Sequence, residues 1–432
     1  MLMTTVLVLG GCLFMLSKMR NADGNVQADA RAFLSAVDDY LTGRNTEQPI
    51  AEAPTAAPST GIKTVVASIA PASTPLPSQA PTEEQTPQAT ADAGLKLTLT
   101  ATGLTQFRSG ITETVPDGDT ADYSSVLAAI APYVTGDLRL TTLEGLLSGT
   151  KQKYTNTSIL PQAANAIADA GFNTVLLNHK YVLDRGTETA QDTVNTLKNA
   201  GLSAYGVKVT GAGDDIITVN GLKVAILAYT DSLNTKGKSV YADDNSLVRL
   251  YTLETAMQDI AAVRANGAQF VIVSLRIGKE STETVSETQR ENMRKLSSAG
   301  ADLIIGANPI SVLPVELLVS ADADGKRRET LVAYSLGSLV TDSRASRAAI
   351  SGLLLHVSVT VYPKSGDVEW DSITYTPTYI WKQKINGKTQ FRVLPSNEQA
   401  PDEMNDEQKK YMNNALNYIN KKLADGAAKL SE

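Results

Sequence analysis

Four glycines constrain this chain more than any other feature. Gly171, Gly201, Gly267 and Gly300 each close a stretch of helical spacing and stand just before an apolar run. A helix that ends on glycine can enter the left-handed region, and the chain then turns into the next element. Helix, glycine and strand in repetition predict an α/β domain. Runs with β character are Lys96–Ala101, Thr174–Leu177, Phe270–Leu275, Leu303–Ile305 and Leu331–Tyr334. Asn220-Gly221 separates Ile216–Val219 from Leu222–Ala228 and predicts a tight hairpin. Gly352–Tyr362 and Val368–Tyr375 follow one another without a helix, so the sheets are mixed.

Upstream of residue 94 the composition changes. Residues 1–16 carry no charge and are mostly apolar, and Ser17-Lys18-Met19-Arg20 ends the run. A full span takes about 20 residues, so residues 1–20 read as a membrane anchor or signal segment. No basic n-region opens it, which leads to the expectation of a truncated or misassigned start. Leu9-Gly10-Gly11-Cys12 resembles a lipoprotein box, so the anchor is either a single-pass helix or a lipidated Cys12. Both options put the main domain outside the cytoplasm, at the cell membrane. Residues 21–48 can hold a short stalk helix, with Ala30, Phe33, Leu34, Val37 and Leu41 near helical spacing. Eight of the 17 prolines then fall between Pro49 and Pro87, among Ala, Ser, Thr and Gln. Such a stretch cannot bury enough apolar surface to fold, so 49–93 reads as a disordered linker. The α/β domain is expected over 94–385 and a C-terminal extension over 386–432. In that extension Asn405 caps a helix of about 406–424. Met412, Ala415, Leu416, Ile419 and Leu423 give it an apolar stripe for docking.

Composition excludes several function classes. The net charge of −7 argues against a nucleic-acid partner, whose footprint would be basic. Cys12 is the one cysteine, so the folded part has no thiol, disulfide or cysteine-ligated metal. The histidines are two, His179 and His356. There is no Walker-type phosphate loop, no Gly-x-Ser-x-Gly elbow and no Gly-x-Gly-x-x-Gly after a strand.

Several segments gain meaning in sequence order. Leu97–Gly103 reads LTLTATG, an opening strand. Asp137-Leu138-Arg139-Leu140-Thr141-Thr142-Leu143-Glu144-Gly145 follows. Ala170–Val175 leads into Asn178-His179-Lys180-Tyr181-Val182-Leu183-Asp184-Arg185-Gly186. Later come the hairpin around Asn220-Gly221, Ala299-Gly300-Ala301-Asp302-Leu303-Ile304-Ile305-Gly306, and Tyr334-Ser335-Leu336-Gly337. In this order and spacing, over roughly residues 96–380, they resemble the poly-γ-glutamate capsule (CapA) family.

The resemblance implies a metallophosphatase-like two-sheet sandwich with flanking helices, αββα. It also implies a histidine-rich acidic pocket at the strand ends, like that of metal-dependent phosphoesterases. Carried over position by position, the ligands are largely replaced. Leu104 stands for the aspartate after the first glycine, and Thr142 for an asparagine, while Glu144 remains. Counting back from Asp184 puts the Asn-Asn-His positions on His179, Lys180 and Tyr181; a short shift puts Asn178-His179 in the Asn-His role. Arg276 stands for a histidine, with Glu280 after it. Ala307, Asn308 and Ile310 replace the histidines around Pro309, and Ser338 replaces the asparagine after Tyr-Ser-Leu-Gly. Lys180 and Arg276 would put fixed cations where a dication should sit.

The candidate pocket is therefore Glu144, Asn178, His179, Asp184, Arg276, Glu280 and Asn308, with no catalytic role assigned and no metal expected. Mn, Fe and Zn suit it poorly; the remaining oxygens would suit Ca²⁺ or Mg²⁺ better. Each residue also has a plainer role. His179 reads as a partly exposed loop histidine. His356 shares a strand face with Ser358 and Thr360 and reads as solvent-facing. Glu144 and Asp184 read as loop ties, and Arg276 as an ion-pair partner of Glu280 or Glu144. The sharper alternative makes Arg276 and Lys180 an anion-recognition spot. The functional expectation is a membrane-anchored, extracytoplasmic, non-catalytic accessory or binding protein that helps make or retain an anionic surface polymer such as poly-γ-glutamate capsule. The alternatives are a metal-dependent hydrolase or transferase with a rearranged site, and a structural envelope component.

Overall fold

Strands alternate with helices through much of the chain, as the glycine punctuation predicts. The computed structural model describes residues 93–430 apart from 116–120, 151–152, 323, 386 and 425. The expected anchor, stalk helix and linker lie outside the described residues. No helix among the described residues is long and apolar enough to cross a membrane.

The first half runs β1 (Leu95–Thr105), β2 (Leu138–Leu143), α1 (Ala163–Asp169), β3 (Thr174–Leu176), α2 (Gly186–Asn199), β4 (Ser203–Tyr205), β5 (Ile216–Val219) and β6 (Leu222–Thr230). Then come α3 (Thr235–Asp243), β7 (Arg249–Leu250), α4 (Leu253–Ala265), β8 (Phe270–Arg276), α5 (Glu287–Ser298) and β9 (Leu303–Gly306). The last part is mostly strand: β10 (Val315–Ala321), β11 (Arg327–Ala333), β12 (Ser338–Val340), β13 (Ser351–Tyr362), β14 (Asp367–Ile385) and β15 (Lys388–Pro395). Helix α6 (Asp406–Leu423) and β16 (Lys429–Leu430) end it.

Two mixed sheets form. The first has the order β15-β14-β13-β1-β2-β3-β4, with β12 beside β1 and β16 beside β14. The second has the order β10-β11-β9-β8-β6-β5, with β7 beside β6. Alternation along the strands decides what each face packs against. Leu97, Leu99, Leu138 and Leu140 of the first sheet share one buried cluster with Val224, Ile226, Phe270, Ile272, Leu303 and Ile305 of the second. The opposite face of the second sheet, with Leu227, Val271 and Val273, packs on Ile260 of α4 and Met293 and Leu296 of α5. The opposite face of the first, with Val175, Ala204 and Leu354, packs on Ile167 of α1 and Val194 and Leu197 of α2. The layers are thus helix, sheet, sheet, helix, a mixed α/β sandwich.

Local chemistry explains the junctions. Gly171, Gly201, Gly267 and Gly300 all have positive φ, from 80° to 114°. Asn220 (φ 51°) and Gly221 (φ 83°) close the β5–β6 hairpin. At Gly103 no side chain would fit, since a Cβ there would lie 1.9 Å from the Gly337 carbonyl. That close approach lets the Leu104 amide donate to the same carbonyl and brings β12 beside β1.

Three expectations change. The boundary at residue 385 falls inside a hairpin, because β15 pairs with β14 over Thr378–Ile385 and the sheet continues into the extension. His356 is half-buried, with Thr100 Oγ1 3.0 Å from Nδ1 and Thr376 Oγ1 2.9 Å from Nε2. The neighbouring β1 and β14 cover the face read as open to solvent. His179 is fully buried rather than partly exposed. The C-terminal helix docks as its stripe predicts, burying Met412, Ala415, Ile419 and Leu423 behind a capping box of Asn405 and Gln408.

Candidate functional site

The parallel strands bring their C-terminal ends together. In the first sheet Leu104 pairs with both Thr142 and Ser338, and Thr142 pairs with Leu176. In the second, Thr230 pairs with Arg276 and Leu275 with Gly306. Residues just beyond these ends meet across the sandwich.

Arg276, at the end of β8, is the hub, with a side chain only 3% exposed. Its Nε lies 3.4 Å from Glu144 Oε2, which follows β2 in the other sheet. Its Nη2 donates to Glu280 Oε1 at 3.1 Å, and Asp231 Oδ1 lies 3.9 Å from Nη1. Glu144 Oε1 in turn accepts from Gln106 Nε2 at 2.6 Å. Lys180 Nζ donates to Glu280 Oε1 at 2.8 Å. Hydrogen bonding to Lys180 holds the Glu280 carboxyl below its usual range, and Arg276 adds to this.

The neutral candidates line the same junction. Asn178 Nδ2 crosses to the second sheet, donating to the Tyr229 carbonyl at 3.1 Å and to Ser274 Oγ at 3.0 Å. Asn308 precedes a cis proline, and its Nδ2 donates to the Gly278 carbonyl at 2.7 Å. His179 Nδ1 accepts from the Tyr181 amide at 3.3 Å. Burial first, and the Arg276 charge second, push the His179 pKa down to about 3, while the Gly145 backbone acts less strongly the other way. The ring is therefore neutral at physiological pH. Buried atoms here without a hydrogen-bond partner include Arg276 Nε, Asn178 Oδ1, His179 Nε2, Asn308 Oδ1, Thr142 Oγ1 and Ser338 Oγ.

Two candidates do not sit as expected. Asp184 is not joined to Arg276. Its Oδ2 accepts from Asn234 Nδ2, and burial raises its carboxyl. Asn234 caps α3 by accepting from the Gly237 amide at 3.1 Å, so Asp184 holds a helix start. Lys180 lies at the rim rather than in the buried centre, with its ammonium 5.0 Å from the Tyr181 ring centroid. Glu144, Arg276 and Glu280 are joined in one chain of contacts, with Asn178, His179 and Asn308 at the same strand ends. Sequence reasoning missed Gln106 and Asp231. Gln106 lies two residues beyond Leu104, just past the opening-strand segment that the segment comparison used. Asp231 has no such signal.

The donor set does not fit a hydrolytic metal pair. Such a centre needs several lone-pair donors converging on open positions. Here the buried carboxylate faces a guanidinium and an amide N–H, and the histidine is single. Among the described residues no three His, Cys, Asp or Glu side chains are grouped to hold a metal ion.

Comparison with known proteins adds ancestry. The family model described as bacterial capsule synthesis protein PGA_cap matches residues 98–343. The PGA biosynthesis protein CapA of Bacillus subtilis (strain 168) is 25% identical over 238 residues, covering 54% of this chain and 60% of that protein. The capsule biosynthesis protein CapA of Bacillus anthracis is 27% identical over 215 residues, covering 47% and 48%. The chain thus spans about half to three-fifths of the length of these relatives. Among solved structures, a phosphatase from Mycoplasma pneumoniae aligns with a TM-score of 0.38 and 11% identity, over 66% of this chain and 94% of that one. A putative 5′-nucleotidase from Staphylococcus aureus, in complex with α-ketoglutarate, gives 0.35 and 11%, over 75% and 59%. Likeness at that level carries no argument about the site. The family match does, because it covers most of the two-sheet domain and the segments that build the strand-end junction: this chain belongs to the bacterial capsule synthesis protein family.

Proposed function

We propose that this chain handles an anionic capsule polymer, poly-γ-glutamate or a chemically similar chain, on the outer side of the cell membrane, and does not hydrolyse it at the strand ends. One observation carries the reading. Arg276 is buried between Glu144 and Glu280 at the place where the family resemblance implies a metal ion. A dication brought there would meet a fixed cation in a poorly screened environment, at a large Coulomb cost. Neutral His179 and the unpartnered atoms of Asn178, Asn308 and Ser338 offer hydrogen bonds instead. The capsule and PGA biosynthesis names of the relatives support the polymer class. Anchoring through the apolar run at residues 1–16 completes the reading.

The anion-recognition role expected of Arg276 and Lys180 has no support from their partners. Both are already paired with protein carboxylates, so a polymer carboxylate would have to displace one. Polymer binding belongs elsewhere on the domain. The test uses the purified full chain with Mn²⁺, Zn²⁺ or Mg²⁺, measuring bound metal, phosphodiester hydrolysis and polyglutamate binding side by side. The expected result is polymer binding without stoichiometric Mn or Zn and without turnover. Metal-dependent hydrolysis abolished by Glu144→Gln would replace this reading with that of a rearranged hydrolase.

A further inference from the structure

Trp381–Pro395 contains Lys382, Lys384, Lys388 and Arg392 and no Asp or Glu, in a chain with a net charge of −7. This segment forms most of the β14–β15 hairpin at the open edge of the first sheet. Register places Lys382 opposite Phe391, Lys384 opposite Thr389 and Arg392 opposite Trp381. The cations rest on aromatic rings. Lys382 Nζ is 5.7 Å from the Phe391 centroid, Arg344 Cζ is 5.2 Å from the same ring, and Arg392 Cζ is 5.8 Å from that of Trp381. Such contacts orient a charge without neutralising it.

The hairpin concentrates cations in one short segment without acidic residues of its own. Lys180, Lys326 and Lys422 each reach a carboxylate. Among the described residues, no carboxylate forms an ion pair with Lys382, Lys384, Lys388 or Arg392. The groove beside the hairpin does carry Glu113, Asp122 and Asp342 on its far wall. Asp122 accepts from the Ser124 amide and hydroxyl, and Asp342 accepts from the Gly110 amide and lies 3.8 Å from Arg108 Nε. Of these three, Asp342 is paired with a cation while Glu113 and Asp122 keep their charge, and the positive charge lies on the hairpin itself.

Charges on an edge strand also deter unwanted strand pairing. Either sign, or a mixture, would serve that purpose. Four charges of one sign, unpaired, ask for an anionic partner. We infer that the hairpin is a docking strip for a linear polycarboxylate. The class of polymer rests on the proposed function; the place does not. Lys382 and Lys384 lie two residues apart on one strand face, about 6.6 Å, and a flexible chain of repeated carboxylates can follow that spacing. Binding then comes from many weak ionic contacts with release of counterions. A membrane surface fits less well, because Trp381 and Phe391 are buried under the cations rather than projecting to enter a bilayer.

The test titrates labelled polyglutamate against the purified full chain at low and high salt. It uses the wild type, Lys382→Gln/Lys384→Gln/Lys388→Gln and the matching triple Lys→Arg variant. The Gln triple should raise Kd by about tenfold and flatten the salt dependence, and the Arg triple should bind like the wild type. Unchanged affinity in the Gln triple overturns the strip and leaves the polymer reading standing. No polyglutamate binding by the wild type overturns the polymer reading itself. Preferential binding to anionic vesicles or to poly(glycerol phosphate) overturns the assignment to a polycarboxylate.

Discussion

Two buried charge clusters lie at opposite ends of the second sheet's strands, and they are built to different standards. At the start of β9, Asp302 is fully buried. Its Oδ1 accepts from Arg328 Nη2 at 2.6 Å, and its Oδ2 accepts from the Val271 amide at 2.7 Å and from Arg264 Nη2. Arg264 also caps the Gly300 and Gln269 carbonyls. Both oxygens of Asp302 are thus satisfied. At the end of β8, Arg276 has contacts of 3.1 to 3.9 Å, and buried polar atoms around it lack partners. A carboxylate saturated on both oxygens holds a fold together, and here only Arg328 Nε beside it lacks a partner. An unsaturated cluster keeps hydrogen-bonding capacity in reserve, which is the usual mark of a site rather than a strut.

Three measurements can break or sharpen that contrast. Asp302→Ala should have the largest effect. It leaves two guanidinium groups around an emptied position, and should cost about 3–5 kcal/mol in urea unfolding. Arg276→Met should cost less, about 2 kcal/mol, since its contacts are longer and Glu280 can turn to water. Equal losses would erase the distinction between strut and site. The smallest effect at neutral pH is expected from His179→Gln, whose signature is pH dependence. The folded pKa of His179 is near 3 against the usual 6.5, so the unfolded chain binds the extra proton first. Stability is therefore full above about pH 6.5 and falls as the solution is acidified towards pH 3, by about 1.4 kcal/mol per pH unit. His356, pushed down to about 4 by burial, adds a similar slope that ends earlier. Replacing His179 should remove about half of the decline between pH 6 and 5, read from urea midpoints. An unchanged slope would mean that the ring is not held neutral in the folded state.

The elements were legible in the sequence because their signals are local, whereas the two-sheet layering came only from the family resemblance. Helix-ending glycines need only their own φ, the Asn220-Gly221 turn needs two residues, and the α6 stripe needs one helix. Strand β15 escaped because Lys388–Pro395 alternates poorly and carries three polar residues in its first three positions. The ion-pair hub was legible in part. Arg276 and Glu280 are four residues apart, but Glu144 is 132 residues from Arg276, and only parallel strand ends bring them together. The burial of His179 depends on a neighbouring sheet that no window of sequence contains. Asp184 was misplaced for a different reason. Its spacing fits the family segment, yet its carboxylate is taken by Asn234, whose role as a helix cap is a matter of tertiary contact.

Strand β14 has 19 residues, about 60 Å of continuous backbone. It runs from a pairing with the inner strand β13 to the exposed hairpin tip. A polymer gripped at that tip and pulled along the strand would load the β13–β14 and β14–β15 ladders in shear. Their hydrogen bonds lie across the strands and would share the tension instead of opening one at a time. One strand thus links the sheet interior to the hairpin tip and would carry such a load without a joint.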